Sequence, residues 1–112
     1  MKWTLAVVVS IGAIMPSLAG NRAWAQGSGN AEAGLTLARQ ICSGCHAVER
    51  AQASSPNAAA PRFETIAAVP GMTSTALAVA LRTSHQTMPN IMLNAGELSD
   101  ITAYILSLQR AN

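Results

Sequence analysis

Apolar positions return with the step of a helix face in three stretches of this chain. From Asn30 to Cys42, the apolar or small residues Ala31, Gly34, Leu35, Ala38, Ile41 and Cys42 recur every three or four residues. That spacing predicts a helix with one buried side, and Asn30 is placed to cap it. After the Pro70-Gly71 turn signal, "MTSTALAVALRTSH" (72–85) reads as a brief helix capped by Thr73 or Ser74, with Leu77 and Leu81 one turn apart. The last helix has the fullest signature. Asn94 and Glu97 have capping-box spacing, Leu93 and Leu98 stand where a hydrophobic staple would close, and Leu98, Ile101, Tyr104, Ile105 and Leu108 form one apolar stripe.

Between the first two helices, "AVERAQASSPNAAAPRF" (47–63) carries neither periodicity and is predicted as a loop, short enough to wrap around something. No segment alternates as a half-buried strand would, and no repeat is visible. The chain is expected to be all-α, with three main helices.

The N-terminal stretch has another logic. Lys2 precedes an apolar run from Leu5 to Ala19, broken by Pro16 and followed by Ala23-Trp24-Ala25. This is the layout of a secretory signal with an A-x-A cleavage site before Gln26. An uncleaved anchor is the alternative, but the run is short for a bilayer span and Pro16 and Arg22 crowd its end. The predicted organisation is therefore a signal peptide at 1–25 and one domain at 26–112, exported to the periplasm, with no stable membrane insertion after cleavage.

Cleavage changes the charge. The full chain of 112 residues carries +2, but Lys2 and Arg22 leave with the signal, and five arginines then face five acidic residues. No lysine remains, and the only aromatics left are Phe63 and Tyr104. A nucleic-acid partner is excluded, because neither a basic face nor stacking rings exist. The remaining 87 residues suit one domain whose core is too small to be comfortable without a staple or cofactor.

The chemistry concentrates in "QICSGCHAV" (40–48), which holds both cysteines and one of two histidines. Tetrahedral zinc would have only Cys42, Cys45, His46 and His85 as ligands. Adjacent helical residues point about 100° apart, so Cys45 and His46 share one metal poorly. A thioredoxin-like pair expects a βαβ context that is missing. A structural disulfide leaves His46 unexplained. Covalent haem attachment uses all three residues: two thioethers from Cys42 and Cys45, and the imidazole of His46 beneath the iron.

A second axial ligand would come from Met72, Met88, Met92 or His85. Met88 is preferred because Pro89 pushes it out of helical geometry, so its side chain can project from a loop into a pocket. Met92 and Met72 are expected to pack as core, and His85 to be a solvated loop residue.

With these pieces in place the chain resembles the class I c-type cytochromes from Gly34 to Leu108, through "GLTLARQICSGCH", "APRF", "TMPN" and "LSDITAYILSL" in that order. The resemblance implies a class I fold around one covalently bound haem c. It implies that Gly34 lets the first helix cross the last at close range, beside Ile101 and Tyr104. By the same resemblance the Pro61 carbonyl accepts the Nδ1 proton of His46, and Phe63 packs near the haem edge.

Two positions depart from the family. Ala38 stands where an aromatic is frequent, which suggests a thinner helix crossing. The lysine ring of mitochondrial relatives is missing, so their mode of docking does not transfer. The expected function is one-electron transfer between redox protein partners, with His46 and Met88 on the iron and no catalytic residue. Alternatives are a dedicated haem subunit of a periplasmic dehydrogenase, or a ligand-binding or peroxidatic haem protein with an open sixth position.

Overall fold

A computed structural model describes residues 29–109. The predicted signal peptide lies outside the described residues.

Helix α1 spans Ala31–Ile41 and begins where Asn30 accepts the backbone N–H groups of Glu32 and Ala33 on its side chain, at 2.9 and 3.1 Å. Glu32 in the first turn and Arg39 in the last both oppose the helix dipole. Helix α3, Ser74–Arg82, is capped by Thr73, whose hydroxyl accepts from Ala76 N–H at 3.2 Å. It stops short of the predicted His85, because Thr83 is already extended and returns its hydroxyl to Val79 O at 2.7 Å. Helix α4, Ala95–Ser107, carries the complete capping box: Asn94 Oδ1 accepts from Glu97 N–H and Glu97 Oε2 accepts from Asn94 N–H, both at 2.9 Å. At its other end Arg50 donates to Ser107 O at 2.8 Å, satisfying a terminal carbonyl.

A fourth helix, α2 at Phe63–Ala67, interrupts the end of the predicted loop. It is a single turn, too short for any periodicity to show. Among the described residues the structure is otherwise helix and loop, with one isolated bridge between His85 and Met88. No described helix is long and apolar enough to cross a membrane.

The core forms where α1, α2 and α3 meet α4. Ile101 and Ile105 are fully buried at its centre, with Leu77, Phe63, Tyr104, Leu108, Ala38 and Val48 around them. Each such aliphatic side chain contributes about 1.5–3 kcal/mol on leaving water. The α1–α4 crossing is set by Gly34: a Cβ there would strike the Asp100 carbonyl and come within 2.8 Å of Tyr104 Cβ. The close approach is therefore to Asp100 and Tyr104, rather than to Ile101 and Tyr104. Ala38, where the aromatic is missing, is fully buried in the core. Gly29 repeats the arrangement against Ser99 O, and Asn30 N–H donates to Asp100 Oδ1 at 2.7 Å.

Candidate functional site

Cys42 caps the C-terminus of α1, and the chain then turns tightly so that Cys45 and His46 both donate their backbone N–H to Cys42 O, at 3.1 and 2.9 Å. The turn places the two thiols differently. Cys42 belongs to the core cluster, and burial pushes its thiol up to about 11. Cys45 is exposed, and neither cysteine is in a disulfide.

The predicted loop does wrap, and what it wraps is this turn. Asn57 N–H donates to Cys45 O at 3.1 Å, Ala47 N–H donates to Ser55 Oγ at 2.9 Å, and Phe63 N–H donates to Ala47 O at 2.9 Å. Arg62 closes the loop from inside through Gln52 O at 3.1 Å. As a result Pro61 is brought against the histidine.

His46 Nδ1 lies 2.7 Å from Pro61 O. A carbonyl can only accept, so Nδ1 carries the proton and the Nε2 lone pair is left free for a metal. The ring is also held by Phe63, centroid to centroid 5.5 Å and tilted by 51°. Phe63 in turn meets Tyr104 at 6.4 Å. Tyr104 is buried, with its hydroxyl donating to Val48 O at 2.6 Å, two residues beyond His46. The imidazole is thus oriented by the Pro61 carbonyl and by the ring of Phe63, which is itself anchored in the core, the arrangement that tunes and fixes a metal-bound histidine. Sequence reasoning identified His46, Pro61 and Phe63 but missed Tyr104 and Ser55, whose roles depend on how the chain folds back.

Met88 stands on a different element, the segment between α3 and α4. It is half-buried, which suits a side chain directed inward from a loop. Met92 overturns its expectation: it is 91% exposed and has no part in the core. Met72 does pack against the core, as expected. Ile41, predicted on the buried side of α1, is 41% exposed.

The donor set fits one covalently held haem. It offers two unpaired thiols at the spacing of two vinyl groups, one imidazole with a free Nε2, and one half-buried thioether on the segment between α3 and α4. Among the described residues no three histidine, cysteine or acidic side chains group to hold a bare metal ion.

Comparison with known proteins gives one clear relative: cytochrome c-552 of Bradyrhizobium diazoefficiens, 40% identical over 76 residues, which are 68% of this chain and 72% of the relative. No family model matches the chain. No solved structure matches it significantly.

Proposed function

The chain belongs to the class I c-type cytochromes, and on that premise we propose that it is a periplasmic monohaem electron carrier with His46 and Met88 as axial ligands. Covalently bound haem c is the cofactor, and when bound it supplies one-electron chemistry by cycling between ferrous and ferric iron. Cys42 and Cys45 would hold the porphyrin through thioethers. His46 would present Nε2 while Pro61 keeps its other nitrogen protonated, so the ring neither flips nor changes tautomer between redox states. Met88 would complete the coordination, and a methionine thioether raises the reduction potential by favouring the ferrous state. Leu77, Leu98 and Ile105, all buried, exclude water from the interior and act in the same direction. No bond-making step is assigned to any side chain.

The observation that carries this reading is the 2.7 Å contact between His46 Nδ1 and Pro61 O. It leaves the Nε2 lone pair of an imidazole of fixed tautomer free.

Replacing Met88 with Ala tests the ligand set. The haem should stay attached, the weak red absorption band of sulfur ligation should vanish from the ferric spectrum, the reduced protein should bind carbon monoxide, and the potential should fall. Wild-type protein that already binds carbon monoxide and shows no sulfur band would instead be a gas-binding or peroxidatic haem protein. The balanced charge left after signal cleavage also predicts that electron transfer to partners depends only mildly on ionic strength.

A further inference from the structure

Met88 shares its turn with a competitor. Between α3 and α4 the chain reverses sharply: Met88 N–H donates to His85 O at 3.3 Å, and the two residues form an isolated antiparallel bridge. Residues directly opposite in an antiparallel pair send their side chains to the same face of the ribbon. One turn therefore sets a thioether and an imidazole side by side, and both are ligands that haem iron accepts. They differ in cover, because Met88 is half-buried while His85 is exposed.

A second tie closes outside the first. The Ser84 hydroxyl donates to Asn90 Oδ1 at 2.8 Å, enclosing residues 85–89. Pro89, within that enclosure, has its φ fixed by its ring. Among the described residues, no other side-chain hydrogen bond spans this reversal.

We propose that the Ser84–Asn90 clamp sorts the two ligands, seating Met88 toward the haem iron and keeping His85 beside it in solvent. The proposal rests on the Met88 ligation proposed above. With the ends of the reversal tied, the ribbon has little freedom to shift along its own length. Because the two side chains share one face, its release lets the reversal slide and bring His85 to the place that Met88 holds. The thioether favours ferrous iron, so the ferric state is where an imidazole three residues away gains the advantage. Ser84 and Asn90 are positioning residues in this scheme, acting only through the side chain they seat.

The test compares ferric absorption and electron paramagnetic resonance spectra, reduction potential, and amide exchange at Met88 in haem-loaded wild type, Ser84→Ala, Ser84→Thr and the double variant Ser84→Ala with His85→Gln. Wild type is read first, because lack of the sulfur band there overturns Met88 ligation itself and not the clamp. With that band present, Ser84→Ala should lose sulfur ligation in favour of a low-spin bis-imidazole signature, with a lower potential and faster exchange at Met88. Ser84→Thr keeps the hydroxyl and should behave as wild type. The double variant has no second imidazole, so the bis-imidazole signature should disappear from it. An unchanged sulfur band and potential in Ser84→Ala overturn the clamp. A bis-imidazole signature that persists in the double variant overturns the role given to His85.

Discussion

The two sides of the site are held in contrasting ways. Around His46 the ties reach across the chain: Tyr104 to Val48 spans 56 residues, His46 to Pro61 spans 15, and Asn30 to Asp100 pins α1 onto α4 over 70. Around Met88 every tie is local, three residues for the bridge and six for the clamp, and each uses exposed or half-buried groups. Ties between distant parts of the chain, above all the buried one from Tyr104 to Val48, open with the domain, whereas short exposed ones open at small cost. The comparison teaches that the segment carrying His46 draws on global stability and the segment carrying Met88 on local stability. Melting temperature and ligand identity should therefore be separable by mutation.

The hardest blow to that division is Gly34→Val. Its side chain would drive into the Asp100 backbone and Tyr104, forcing α1 off α4. We expect a loss of about 3 kcal/mol, at the upper end for overpacking, read by circular dichroism melting, with the sulfur band of the folded fraction unchanged. A Gly34→Val protein that melts like wild type would put the stability somewhere other than this crossing.

Tyr104→Phe comes next. It strands Val48 O in the core and should cost about 1–3 kcal/mol, again without altering the ligands. It also has a pH signature. Burial, the largest cause, raises the Tyr104 phenol above its usual value. The neutral form is therefore favoured by folding, and its contribution is complete below about pH 10 and lost as pH climbs through the raised value. Melting followed into alkali should show a shallower decline in Tyr104→Phe than in wild type.

Thr102→Val should act in the opposite direction. The hydroxyl of Thr102 is buried in α4 without a hydrogen-bond partner, and valine keeps the shape while removing the unsatisfied group. A gain of about 1 kcal/mol is expected in denaturant unfolding. The smallest effect belongs to Met92→Ala, within about 0.5 kcal/mol because the side chain is in solvent, with no change in the haem spectrum. Against Met88→Ala, it isolates ligation from the mere presence of a methionine in the loop.

What the sequence revealed and what it hid follow one physical line. The Asn30 and Asn94 caps and the capping box are encoded within a few residues of themselves and appear as read, and of the two caps offered for α3 the structure uses Thr73. Gly34 was legible because a glycine inside a helix is costly without a close neighbour, though its neighbours were half mistaken. The single-turn α2 left no period to detect. Met92 was misplaced because it sits beside a strong apolar stripe, and a local pattern does not say that the chain there lies outside the helix packing. The Tyr104 hydroxyl found its carbonyl 56 residues away, a pairing no window of sequence contains.

The bond from Asn30 to Asp100 has a further consequence, for the order in which the molecule assembles. It joins the first helix to the last, so the crossing it secures is among the most non-local contacts the domain makes. Closing so long a loop costs entropy that nothing returns until α4 arrives, and contacts of this range slow folding. While the chain is still incomplete, α1 has no partner and the cysteine pair behind it lies on an open strand. The topology thus leaves an interval in which both thiols, including Cys42 that the finished core covers, stand accessible for attachment. Shortening that interval by joining the two helices early, as a circular permutant would, should lower the fraction of chains that acquire the cofactor.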